Sequence, residues 1–266
     1  MGRAVRRRIV LLVAVCLLAA GQQVIQRPDY SAETIVNSAD FRAGYLAPNT
    51  IATIYGKNLS WTAAAVSPGD IRGGYLPDKL GSAQVAVGNL RAPLLYVSPT
   101  QINFVIPYIL LPGMVEVRVD RDGVAGPNVK MQLGASAPAA YQLDESTVIA
   151  THADGELVDR AHPAAAGEII VLYVTGLGWT SPPVDTGQLA PRAAQSQFAP
   201  KLQIKLDGAE IPRENIFYAG VTPGFSGLYQ INFRLPAMLP ADPEIRLAMD
   251  GRESAPGRRL LTRAGP

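Results

Sequence analysis

The chain has 266 residues, with 24 basic and 22 acidic side chains, two histidines and one cysteine. Four of the arginines fall in the first 21 residues, so the remaining 245 carry 20 basic against 22 acidic groups, and the basic isoelectric point belongs largely to the leader. A near-neutral body gives no electrostatic reason for a nucleic-acid partner, and a lone cysteine, Cys16, excludes a disulfide framework.

Arg3, Arg6, Arg7 and Arg8 precede an apolar run from Ile9 to Ala20, with Ala19 and Gly21 as a small-residue exit. This order predicts a secretory signal peptide over residues 1–21. The run is short of the ~20 residues a membrane span requires, which counts against the rival reading of an uncleaved anchor. Val15 before Cys16 argues against lipoprotein processing. Beyond the signal, Val24 to Glu33 is expected to be a polar lead-in, poorly ordered or loosely packed at its start.

From there the predicted elements come in matched pairs. Ala47 to Trp61 aligns without a gap on Ala165 to Trp179, which superposes the chain's only two tryptophans. Within it, Thr50 to Gly56 is a β-branched and aromatic run that ends at glycine, as strands do. Gln84-Val85-Ala86-Val87 matches Gln203-Ile204-Lys205-Leu206, both alternating polar and apolar residues. Each then reaches a proline, Pro93 or Pro212, and the tetrapeptide Gln-Ile-Asn-Phe, at 101–104 and 230–233. The second copy is longer here by a glycine-rich insertion, Thr222 to Leu228. Pro107 and Pro236 follow, then Glu116-Val117-Arg118-Val119 or Glu244-Ile245-Arg246-Leu247, and finally Asp122-Gly123 or Asp250-Gly251.

No sustained helical stripe interrupts this pattern, and 25 glycines and 22 prolines punctuate it at sandwich-like spacing. The fold class expected is all-β: two tandem immunoglobulin-like β-sandwich domains arising from an internal duplication. The boundaries expected are 22–135 and 136–255, followed by a basic, flexible tail over 256–266.

Several of these motifs carry a family likeness. Val36-Asn37-Ser38-Ala39-Asp40-Phe41, Ala47-Pro48-Asn49-Thr50-Ile51, Ala92 to Asn103 and Gly224 to Asn232 resemble the uncharacterised Solibacter C-terminal domain abundant in acidobacterial secreted proteins. The resemblance runs from about Ile35 to Gly251. It implies an immunoglobulin-like fold at the C-terminal end of larger surface or secreted proteins, whereas only the signal precedes the repeated unit here. It supplies no catalytic residue.

His152, Asp154, Glu156, Asp159 and His162 are the one concentration of potential metal ligands, but their spacing fits a charged hairpin turn around Asp154-Gly155 better. Gly224-Phe225-Ser226-Gly227 lacks the final glycine of a nucleophile elbow, since Leu228 stands there. Asp120-Arg121-Asp122-Gly123 opens like a calcium loop but lacks the later glutamate. Asn103 and Asn232, inside apolar strands, are expected to be buried, satisfied amides.

The function expected is a non-enzymatic binding or structural module, secreted or in the cell envelope, that uses sandwich-end loops or sheet edges. Its partner would be an envelope or extracellular protein or a polysaccharide. The binding candidates are Trp61, Trp179, Thr222, Phe225 and Tyr229. One alternative is a carbohydrate-binding module built on Trp61 and Trp179; another is a metal protein built on His152, Asp154 and His162. No cofactor, no nucleic acid and no membrane span after signal cleavage are expected.

Overall fold

The computed structural model describes residues 26–264, so the expected signal peptide and Cys16 lie outside the described residues. In chain order the first half contributes β1 (Ile35–Asn37), β2 (Ile51–Tyr55), β3 (Ala64–Ala65), β4 (Lys79–Leu80), β5 (Ala83–Val87) and β6 (Leu90–Ala92). It continues with β7 (Leu94–Val97), β8 (Gln101–Val105), β9 (Gly113–Arg121), β10 (Val124–Ala125) and β11 (Val129–Leu133). The second half contributes β12 (Ala139–Ala140), β13 (Ala150–His152), β14 (Ile169–Thr175), β15 (Thr180–Ser181), β16 (Ala194–Ser196) and β17 (Gln203–Leu206). After these come β18 (Ala209–Glu210), β19 (Ile216–Val221), β20 (Tyr229–Arg234), β21 (Ile245–Met249) and β22 (Arg252–Glu253). The fold is all-β.

Four antiparallel sheets result. In the first half, β1-β2-β8-β7-β3 faces a second sheet of β10-β9-β5-β4, to which β11 and β6 add. Ala52, Ile54, Ile102 and Phe104 from one sheet meet Val85, Val87, Val117 and Val119 from the other in a single buried cluster. In the second half, β12-β14-β20-β19-β16-β15 packs on β18-β17-β21-β22. There Ile170, Leu172, Ile231 and Phe233 meet Ile204, Leu206, Ile245 and Leu247. Each pair is a β-sandwich with its own core, and each buried phenylalanine or leucine contributes about 2–3 kcal/mol of transfer free energy.

The matched segments pair in matched registers. Ala52 lies opposite Phe104 and Thr53 opposite Asn103; Ile170 lies opposite Phe233 and Val171 opposite Asn232. The next strand out carries the same irregularity, a bulge between Leu94 and Tyr96 in β7 and between Ile216 and Tyr218 in β19. Because side chains alternate across a strand, Ile102 and Phe104 point inward while Gln101 and Asn103 point outward. The same parity puts Tyr229, Ile231 and Phe233 inside.

Three expectations fail here. Asn103 and Asn232 are half-buried on outer faces, not sealed among apolar residues, because their parity is opposite to that of their apolar neighbours. The lead-in is pinned from Gln26 onward: the Tyr30 hydroxyl donates to the Pro127 carbonyl at 2.7 Å and accepts from the Val119 N–H at 2.7 Å. The C-terminal stretch up to residue 264 is no flexible tail. Leu260 and Leu261 are buried in the second core, and the Leu260 N–H donates to the Pro243 carbonyl at 3.1 Å. Two adjacent leucines outweigh the basic residues around them, which reach out to backbone carbonyls, as Arg259 does to Asp242 at 2.7 Å.

The sandwiches are joined by more than the linker. Asn37 donates to the carbonyl of Ala137, and the Ile51 N–H donates to Thr175 Oγ1, whose hydroxyl in turn donates to the Gly227 carbonyl. The Tyr45 hydroxyl and Arg42 both donate to the Glu253 carbonyl.

Candidate functional site

The outer face of β2 and β8 is not left to solvent. The Thr222 to Leu228 insertion of the second sandwich folds over its edge, and Gly227 sits so close that a Cβ there would lie 2.7 Å from Ile51 and 3.1 Å from the Asn49 carbonyl. Beside this contact the two halves leave an open cleft of about 810 Å³. Ile51, Thr53, Tyr55, Gln101 and Asn103 form its floor, and Tyr141, Ile149 and Tyr173 close one side. Ile71, Leu76, Leu189 and Phe225 close the other. The Ile71–Leu76 wall is tied across the junction by the Leu189 N–H, which donates to the Gly74 carbonyl at 2.8 Å, and by the Leu76 N–H, which donates to Gly187 at 2.9 Å.

The chemistry of this lining is uniform. No charged side chain is among the residues that line it. Its polar groups are amides and hydroxyls: Gln101 Nε2 donates to Asn103 Oδ1 at 2.9 Å, and the Thr53 hydroxyl donates to the same oxygen at 3.2 Å. The Tyr141 hydroxyl shares a hydrogen with Ser38 at 3.0 Å, and burial pushes its phenol up to about 12. The lining holds no histidine, carboxyl, amine or thiol side chain.

Of the sequence candidates, only Phe225 lies in the cleft, 52% exposed at the tip of the inserted loop. Tyr229 is fully buried and its hydroxyl donates to the Gly178 carbonyl, so it cannot meet a ligand; burial raises its phenol well above the usual range. Thr222 is also buried. Trp61 is exposed at 57%, but the Arg121 guanidinium covers one face of its ring at 3.6 Å, and its indole N–H donates to Asp122 at 3.1 Å. Trp179 is wedged in the junction, its indole donating to the Tyr108 carbonyl at 2.8 Å and its ring against Phe198. The two tryptophans therefore share a sequence position but no surface.

The histidine cluster does not converge. His152 Nδ1 meets the Glu168 carboxylate and its Nε2 meets the His162 carbonyl at 3.1 Å. Both partners are acceptors, so a metal would have to displace one of them to reach the ring. The Glu168 hydrogen bond accordingly raises the His152 pKa above its ordinary value. Asp154 caps its own turn through the Glu156 N–H at 3.0 Å, and Gly155 takes the left-handed conformation of the expected hairpin. Among the described residues no group of three His, Cys, Asp or Glu could hold a metal ion.

Sequence reasoning missed Phe41, Tyr55, Gln101 and Asn103 as site residues. The signal for the last three was strand parity: each alternates with an inward apolar neighbour.

No family model and no curated protein matches the chain. Among solved structures it is similar to the surface glycan-binding protein PbSGBP-B from Prevotella bryantii, at 15% identity over 87% of this chain and 41% of that one, with a TM-score of 0.26. It is also similar to the SGBP-B of the Bacteroides ovatus mixed-linkage glucan utilization locus, in complex with a heptasaccharide, at 12% identity, 83% and 44% coverage, and a TM-score of 0.31. Domains 5–6 of the S-layer protein SbsC match at 9% identity, 90% and 100% coverage, and a TM-score of 0.27. The chain thus spans under half the length of either glycan-binding protein, and TM-scores this low carry no functional weight.

Proposed function

We propose that the protein is a non-catalytic binding module of the cell envelope or extracellular space, and that its ligand occupies the cleft between the two sandwiches. The observation that carries this reading is a large concave site, at the junction, with an apolar and wholly uncharged lining. General acid–base or nucleophilic work requires groups that exchange protons near neutral pH, and the lining has only amides, hydroxyls and tyrosines. Export rests on reading residues 1–21 as a signal. The carbohydrate-binding alternative survives in altered form, with the cleft in place of Trp61 and Trp179.

Thermal unfolding of residues 22–266 tests the reading against a panel of neutral and acidic polysaccharides and apolar peptides. A ligand specific for the folded state stabilises it by about 2.7 kcal/mol at a hundredfold excess over its dissociation constant. The shift should vanish on replacing Leu95, a β7 residue that also lines the cleft, by the bulkier tryptophan (Leu95→Trp). A ligand whose shift survives that substitution would place binding elsewhere and overturn the assignment.

A further inference from the structure

Phe41 holds a backbone conformation that bulky residues avoid. Its φ is +59°, in the left-handed region, yet its ring is 54% exposed and gains little from burial. A phenylalanine in this conformation is strained, and strain uncompensated by packing points to a role for the ring itself. Phe41 lines the cleft from the first sandwich, Phe225 lines it from the second, and Tyr55, 37% exposed, adds a third ring at the end of β2.

The polar groups beneath these rings are arranged for a ligand that both donates and accepts. Asn103 Oδ1 is already taken by Gln101 and Thr53, which turns the Asn103 amide hydrogens away from them. Among the described residues, neither those hydrogens nor Gln101 Oε1 has a protein partner, so the floor presents free amide N–H donors and a free carbonyl acceptor side by side. A purely apolar ligand would strip both of water and return nothing, which is unfavourable. An ionic ligand would find no counter-charge. A peptide adding as a strand needs an open sheet edge, but β2 and β8 are interior strands with ladders on both sides.

Resting on the binding reading above, we infer that the cleft takes a segment of neutral glycan. The C–H faces of its sugar rings would lie against Phe41, Tyr55 and Phe225, with ring hydroxyls on the Gln101–Asn103 amide pair. Aromatic side chains suit this because they are large, rigid and apolar on their faces.

The test is titration of the folded chain with neutral gluco-, manno- and xylo-hexaoses, an oligogalacturonate, an apolar heptapeptide and N-phenyl-1-naphthylamine, read by calorimetry and by side-chain amide NMR signals. Gln230 and Asn232 form the same 2.9 Å amide pair outside the cleft and serve as an internal control. The proposal expects a neutral hexaose to bind saturably and to shift the Gln101 and Asn103 amides but not those of Gln230 and Asn232. Phe41→Asn, which keeps a residue tolerant of positive φ and removes the ring, should weaken that binding about three- to tenfold without loss of thermal stability. Binding of the peptide or naphthylamine alone, abolished by Leu95→Trp, would overturn the glycan assignment and leave the binding module standing. Binding of oligogalacturonate in preference to neutral hexaoses would also overturn it. No binding by any probe would remove both readings.

Discussion

The outer faces of β2–β8 and β14–β20 carry the same Gln-x-Asn pair in the same register, with the same 2.9 Å hydrogen bond between the amides. One face is the floor of a cleft; at the other, the residue matched to Leu95 is Phe217, half exposed beside Arg234. The strands are near copies, and the loops are not. The insertion after β19 packs on the first sandwich, and the first half carries no matching insertion, so identical strand chemistry acquires different surroundings from a seven-residue loop. In such a pair, location in the assembly, not the motif, decides which face can hold a ligand.

The comparison breaks most sharply at Gly227. Gly227→Val forces a branched side chain into a left-handed residue (φ +74°) and against Ile51, at a cost of about 2–5 kcal/mol. Calorimetry should show a lower midpoint and separate transitions for the two sandwiches. Gly224→Ala has the same kind of φ with nothing within 4 Å, and should cost only about 1 kcal/mol. Equal losses in the two variants would mean that the junction contributes nothing.

Arg121 sharpens the comparison next. At its matched position in the second sandwich stands Met249, both at 1% exposure, each just before an Asp-Gly turn. Arg121 donates to the carbonyls of Asn58 and Gln26. Arg121→Met should fold, because its counterpart shows that methionine fills the site, but it leaves two carbonyls without their donor at about 1–2 kcal/mol. Faster amide exchange from Gln26 to Asp29 would mark the release of that segment, and unchanged exchange would disprove the tether.

The smallest effect separates His152 from its matched residue Asn37. Both lie at the third position of an edge strand, opposite Ile170 and Ala52 respectively. Asn37 is sealed and does not titrate; its amide donates to the Tyr45 and Ala137 carbonyls at 3.2 Å each. The Glu168 hydrogen bond raises the pKa of His152 above 6.5, with His162 and Asp154 nearby adding to the effect. The folded state therefore binds this proton more tightly than the unfolded chain does. Its contribution is complete below pH 6.5 and fades as pH rises through the raised value. His152→Gln should flatten the stability profile above pH 6.5 in the second sandwich alone; a profile unchanged by the substitution would refute the coupling.

Much of the architecture was legible because β-strand information is local. Parity and recurrence identified β2, β5, β8, β9 and their partners, and the matched registers followed from the matched segments. The same parity already held the answer for Tyr229, which shares its inward phase with Ile231 and Phe233. The cleft was hidden because it is built by outward residues of two sandwiches, and nothing local to Tyr55 or Gln101 announces Leu189 or Phe225 across from it. Rarity misdirected attention to the tryptophans: Trp61 packs on Arg121 and Trp179 on Phe198, two structural roles that one matched position cannot distinguish. The C-terminal arginines likewise suggested a solvated end, although Leu260 and Leu261 among them were the decisive residues.

The tether between Arg121 and Gln26 also sets an order of events during biogenesis. The two residues are 95 positions apart, so a chain that emerges N-terminus first cannot fasten Gln26 to Arg121 until β9 has been made, whereas the Asp29–Lys57 bridge can close once β2 is out. Until then Gln26 lacks this anchor, and afterwards it is held. A nascent chain halted before Arg121 should be trimmed near Gln26 much faster than the finished one.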